Sequence, residues 1–122
     1  NRPLQNEAEL TAALEARGFE PVLLSGRSVA EQARLFAEAK VVVGPHGAGL
    51  TNLGFCRPGT KVLELNPSHY FNACFLGLSH IGGLDHRVYV GTSHGRTPLR
   101  HKREWSVRID EVLAATDALT QA

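Results

Sequence analysis

Apolar positions along the chain change period at short intervals, and those changes mark out its elements. Leu10, Ala13 and Leu14, with Arg17, keep helical spacing; Asn6 with Glu9 three residues on resembles a capping box, and Gly18 ends the run. Phe19 to Leu24 reads as a strand. Ser28 with Glu31 caps a second helix, whose inward face is Val29, Gln32, Ala33, Phe36 and Ala37. Val41-Val42-Val43 is a buried strand, and Leu50 to Phe55 begins a short helix. After the turn Arg57-Pro58-Gly59-Thr60, Lys61 to Leu65 predicts another strand. Tyr70 to Ile81 predicts a helix broken by Gly82-Gly83, and His86 to Val90 a strand. Gly91 to Glu104 reads as a polar loop, Val107 to Ile109 as a brief extended piece, and Asp110 to Leu119 as the last helix.

Short apolar strands alternating with amphipathic helices predict an α/β fold: a Rossmann-like parallel sheet with helices on both faces. Residues 1–122 are expected to form a single domain. The pattern opens directly on a helix, and the chain starts on Asn1 rather than Met. The strand that would feed that helix is therefore expected to be absent from this chain, which reads as an excerpt of a longer protein. A missing strand leaves a sheet edge, and such an edge invites pairing with another copy. Ligands of parallel sheets bind beyond the carboxyl ends of the strands. The segments after Val43 and around Glu64 both lie at such ends.

The segment Gly44-Pro45-His46-Gly47-Ala48-Gly49-Leu50-Thr51-Asn52 carries the chemistry. A strand, a glycine-rich turn and a helix start make a place for an anion. The first amides of a helix have no intrahelical partner, and the helix dipole favours negative charge there. A tight turn with nothing bound would satisfy the glycine spacing as well. Three polar side chains in the segment, His46, Thr51 and Asn52, favour the ligand, with the phosphate of a nucleotide as its natural form.

Composition narrows the field without deciding it. With 43% hydrophobic and 20% charged residues the chain is ordinary for a globular protein. A net charge of +1 neither points to a polyanion nor excludes one; the lack of a basic stripe with interleaved aromatics is what argues against a nucleic-acid partner. The densest basic stretch, with Arg96, Arg100, Lys102 and Arg103, reads as a solvated loop. Cys56 and Cys74 form no C-x-x-C pair, and a reduced compartment fits them. The six histidines lack H-x-x-x-H spacing. A zinc site from His69, Cys74 and His80 is disfavoured because Cys74 is expected to pack in an apolar helical run, so no metal is expected. The one G-x-S-x-G, Gly91-Thr92-Ser93-His94-Gly95, lies in the expected polar loop and opens no predicted helix, so it makes no nucleophile elbow; no G-K-[ST] follows the glycines of the signature and there is no Asp-x-Asp. A hydrolase, a Walker-type nucleotidase and a metal-dependent GT-A transferase are disfavoured accordingly.

The run from Val41 to Asn52 resembles the signature of glycosyltransferase family 61, also called the DUF563 group. Asn6-Glu7-x-Glu9-Leu10, the set Glu31-Gln32 with Leu35-Phe36, and Pro58-Gly59-Thr60-x-Val62-x-Glu64-Leu65-x-Pro67 are similar in the same order. The resemblance implies the carboxyl-terminal, donor-binding half of a two-domain GT-B architecture. It implies an inverting transfer of a sugar from a nucleotide-sugar, UDP-linked by expectation, to a glycan or protein-linked acceptor, with no cofactor. It points to a bacterial capsular or surface-polysaccharide member, cytoplasmic and membrane-associated in its full length, and to an amino-terminal domain as partner. This chain alone is expected to bind donor weakly and transfer nothing. Thr92 to Glu104 departs from the pattern, and His86 stands where an aromatic residue, often tyrosine, is expected.

Carried onto this sequence, the resemblance has Gly47, Ala48 and Gly49 offer backbone amides to the donor diphosphate, where negative charge grows as the bond breaks. Thr51 and Asn52 add side-chain hydrogen bonds or cap the helix. Arg2 pairs with a phosphate or is a solvated terminal arginine. His46 has three roles open to it: donor to a phosphate or sugar hydroxyl, which is preferred; a brace for the turn; or general base. A residue that touches the diphosphate sits on the wrong side to deprotonate the acceptor, so the base is expected from the amino-terminal domain. Glu64 is expected to accept the ribose hydroxyls, against a plain surface or helix-start carboxylate. Ser25 and Ser28, at another strand end, are within approach of the nucleobase, with Ser28 safer as a cap; Glu31 and Gln32 serve packing and capping. The competing classes are a non-catalytic nucleotide- or phosphate-binding module of the same fold and, more weakly, a sugar-nucleotide epimerase.

Overall fold

A computed structural model describes residues 4–70, 72–95 and 103–121. Its centre is a three-stranded parallel sheet, β1 (Val41–Pro45), β2 (Lys61–Asn66) and β3 (Asp85–Val90), in the order β1-β2-β3. Val42 lies opposite Val62 and Gly44 opposite Glu64; Val62 lies opposite His86 on the other side. Strand alternation then sorts the side chains onto two faces. Val41, Val43, Leu63, Leu65 and Tyr89 face α1 (Glu7–Glu15) and α4 (Ile109–Gln121), with Leu10, Val112 and Leu119 packed against them. Val42 and Val62 face α2 (Val29–Glu38), the 3-10 helix Ala48–Phe55 and α3 (Cys74–Gly82), through Phe36, Leu50, Leu53 and Phe75. The helices thus cover both faces, as the alternating pattern predicts. β2 is the buried centre, with Val62 to Asn66 all inaccessible, which is why its sequence is a continuous apolar run broken only by Glu64 and Asn66.

Several local expectations change. Phe19–Leu24 forms no strand. Its last carbonyls are taken locally: Leu23 accepts from Arg27 Nε at 2.9 Å, and Leu24 from the Arg27 N–H and Gln32 Nε2. A groove of about 1320 Å³ lies between this segment, α1 and the outer edge of β1, and Val22 and Leu23 stay exposed. Asn6 holds the N-cap position of α1, but its side chain makes no capping bond; its amide donates to the Val107 carbonyl at 2.7 Å and accepts from the Val107 N–H at 3.1 Å, clipping the start of α1 to the segment before α4. The Ser28 capping box forms with both of its bonds. α3 starts at Cys74, later than predicted, with the Cys74 N–H bonded to Asn72 Oδ1, and ends at Gly83 with φ of 72°.

The expected polar loop is closed at its base by a short ladder that carries part of the core. β4 (Thr92–Ser93) pairs antiparallel with β5 (Trp105–Ser106), and Trp105 is fully buried. Gly91 makes this possible: a Cβ there would stand 2.5 Å from the Ser106 carbonyl oxygen and 2.9 Å from the Trp105 ring. Arg96, Arg100 and Lys102 of the basic stretch lie outside the described residues. Cys74 is exposed rather than packed, because it sits at the open first turn of α3. Cys56 is the buried cysteine, and burial pushes its thiol up to about 11, which keeps it protonated and inert. No described helix is long and apolar enough to cross a membrane.

Candidate functional site

The glycine turn leaves the carboxyl end of β1 and enters the 3-10 helix. The His46 N–H still bonds the Leu65 carbonyl at 2.8 Å, so His46 is held as a continuation of the sheet. The first bond of the helix runs from the Leu50 N–H to the Gly47 carbonyl, which places the Ala48 and Gly49 amides ahead of the helical ladder. Gly47 has φ of 171°, extended backbone open to any residue, and a Cβ there would meet only the Pro45 carbonyl at 4.0 Å. The fold therefore sets no demand for glycine at 47. Gly49 differs, since its Cβ would stand 2.9 Å from the Leu24 methyl group.

Below the turn lies a buried polar network. The Glu64 carboxylate reaches His46 Nδ1 at 2.5 Å through one oxygen and His86 Nε2 at 2.8 Å through the other. His86 Nδ1 is in turn 2.6 Å from the Ser79 hydroxyl on α3. All three ionisable side chains are at most 5% exposed. Desolvation is the largest influence on Glu64 and raises it, but hydrogen bonds from His86 and His46, with Asn66 beside them, together outweigh it. The carboxyl is held below the usual glutamate range, so it is ionised at neutral pH and only accepts. Both histidines therefore donate to it. The His46 ring is wedged by Phe75, centroid to centroid 4.7 Å, with Tyr70 edge-on at 6.2 Å.

The other residues expected from the sequence divide between fold and surface. Asn52 is buried and gives its amide to Gln32 Oε1 at 2.9 Å and the Gly49 carbonyl at 3.1 Å, tying the turn to α2. Gln32 also bonds the Leu24 and Arg27 carbonyls, a packing role as expected. Thr51 is exposed and lines, with Ser25 and Gly49, a shallow cavity of about 470 Å³. Glu64 has no surface to offer a ribose, and such a contact requires one of its histidine bonds to open. Arg2 lies outside the described residues. Sequence reading missed His86 and Ser79 as members of the site. Their signal was present: each is a polar residue at an inward position, His86 two places before Val88 and Ser79 four after Phe75. Among the described residues no group of three or more His, Cys, Asp or Glu could hold a metal ion.

The profile of the glycosyltransferase 61 family matches residues 1–63, which include the glycine turn, His46 and α2. The chain belongs to that family. A beta-1,2-xylosyltransferase of Oryza sativa subsp. japonica is 38% identical across 76% of this glycosyltransferase 61 chain and 19% of its own length. A protein O-linked-mannose beta-1,4-N-acetylglucosaminyltransferase 2 of Bos taurus is 33% identical across 86% of this chain and 20% of its own. A beta-1,2-xylosyltransferase of Arabidopsis thaliana is 31% identical across 58% and 14%. This glycosyltransferase 61 chain thus spans about a fifth or less of the length of these curated relatives. They are plant and animal proteins, and they lend no support to the bacterial capsular role expected from the sequence.

Proposed function

We propose that this chain binds the nucleoside diphosphate of a sugar donor, UDP-linked in the first instance, as the donor-binding half of an inverting GT-B glycosyltransferase. The Gly47, Ala48 and Gly49 amides and the His46 ring face the diphosphate. The relatives' names, a xylosyltransferase and an N-acetylglucosaminyltransferase acting on protein-linked mannose, support a nucleotide-sugar donor and a glycan or protein-linked acceptor. In the transfer, the bond between the sugar's anomeric carbon and the diphosphate breaks and its electron pair passes to the departing oxygen. The acceptor oxygen forms the new bond from the opposite side. Fixed amides lower the cost of the charge that grows on the leaving group. The acceptor's proton goes to a base on the amino-terminal domain, which this reading places outside the chain.

The observation that carries the reading is Gly47. Neither its backbone angle nor its neighbours in the fold require glycine, so the missing side chain leaves room for something outside the protein. Gly47→Val separates fold from ligand. Its melting temperature is expected to match the wild type, while calorimetry with UDP, GDP, CMP and ADP should show one nucleotide bound by the wild type and about tenfold or more weaker in the variant. Equal binding by both proteins would return the turn to a structural role. Binding of free phosphate as tightly as any nucleotide would favour a simple phosphate-binding module.

A further inference from the structure

Ser79, His86 and Glu64 come from three elements, α3, β3 and β2, and meet in one line that reaches His46. The proton positions along it follow from chemistry. An ionised carboxylate only accepts, so His46 presents Nδ1–H and His86 presents Nε2–H. A neutral His86 then has its lone pair on Nδ1, where the Ser79 hydroxyl donates. With His86 satisfied at both nitrogens, Glu64 cannot turn without breaking a bond in a site closed to water. His46 is left with its ring plane set and with Nε2 as the nitrogen directed away from Glu64. Ring contacts with Phe75 and Tyr70 limit the same rotation from the side.

We propose that Ser79 and His86 are positioning residues of the donor site, acting through Glu64 to fix the tautomer and orientation of His46 toward the bound nucleotide-sugar. Neither is placed against the ligand: His86 reaches His46 only through Glu64, and Ser79 only through His86. The proposal rests on the donor-binding reading. It predicts that what these residues contribute to binding passes through the His46 ring and nowhere else. A purely structural role would instead lower binding in proportion to lost stability, whatever stands at position 46.

A double-mutant cycle with UDP as the probe tests this. Ser79→Ala and His86→Gln are each expected to weaken UDP binding about fivefold to twentyfold, the size of coupling found within one hydrogen-bond network, and to have no further effect when combined with His46→Ala. Nitrogen-15 spectra of the imidazoles supply a second readout. The wild type should show His86 protonated at Nε2 and His46 at Nδ1, and the His46 signals should shift in both variants. Undiminished effects in the His46→Ala background, or His46 signals unmoved by either variant, would overturn the proposal. If the wild type binds no nucleotide, the donor-binding reading falls by itself; the proposal then falls as a statement about donor binding, and the spectra alone judge the Ser79–His86–Glu64–His46 line. Ser79→Ala removes one atom, so it keeps the cycle readable if His86→Gln fails to fold.

Discussion

Glu64 is the residue on which the site and the stability of the sheet depend together. Its carboxyl is held low in the folded protein and returns to about 4.3 on unfolding. A depressed folded value stabilises the fold above the unfolded value, and that stabilisation is lost as pH falls through the folded one. Denaturant midpoints measured from about pH 6 downward should therefore fall through the acid range, and fall less steeply for Glu64→Gln than for the wild type. Glu31, Asp110 and Asp117 are also held low, but by surface partners that both proteins share, so their share of the slope cancels in the comparison. Parallel slopes would mean that the carboxyl gains nothing from its histidines. His46 and Glu64 are both legible in the sequence as site candidates, yet their pairing is not. They lie 18 residues apart on neighbouring strands, and the register that sets Gly44 beside Glu64 is a property of the sheet. The same holds for His86, whose partner is decided by which face of β3 meets α3.

Elements here are separated by how much of their cause is local. Two glycines make the contrast measurable. Gly77 lies inside α3, and a Cβ added there would have nothing within 4 Å, so Gly77→Ala should raise stability by about 0.5–1 kcal/mol through helix propensity. Gly91 lies against the Ser106 carbonyl and the Trp105 ring, so Gly91→Ala should lower it by about 1–3 kcal/mol. Equilibrium urea unfolding of the two variants reads both, and a loss at Gly77 or none at Gly91 would contradict the packing described. The capping box at Ser28 and the stop at Gly83 were legible because their causes lie within four residues. The Phe19–Leu24 segment was not: its composition suits a strand, but a strand needs a neighbour, and its carbonyls went to Arg27 and Gln32 instead. Asn6 fits a cap by spacing, but Val107, 101 residues away, offers its amide two bonds at once. Trp105 was hidden for the same reason, since its strand is two residues long and is paired with Thr92–Ser93 across the polar stretch.

At the scale of the whole molecule, β1 is an edge strand that, among the described residues, pairs with β2 alone. The bonds Lys61 N–H to Lys40 carbonyl and His46 N–H to Leu65 carbonyl fix the phase of β1. Positions 40, 42, 44 and 46 bond β2, so the N–H and C=O of Val41 and Val43 point into the groove of about 1320 Å³. Pro45, next in that outward series, has no N–H to leave without a partner. Apolar side chains from α1 and α2, among them Leu10, Leu14 and Phe36, line the same groove. An open edge flanked by apolar surface is a template for another strand. A second copy is the strand at hand in a solution of this chain, so its mass by light scattering is expected to rise with concentration. Val43→Pro removes an outward N–H without touching the β1–β2 ladder, and proline at that place keeps the extended backbone that β1 already has. The variant should therefore stay monomeric, with a melting temperature lowered only by the packing that the Val43 side chain gives to the face of α1 and α4. A wild type that is monomeric at every concentration would show that the groove walls alone keep the edge from pairing.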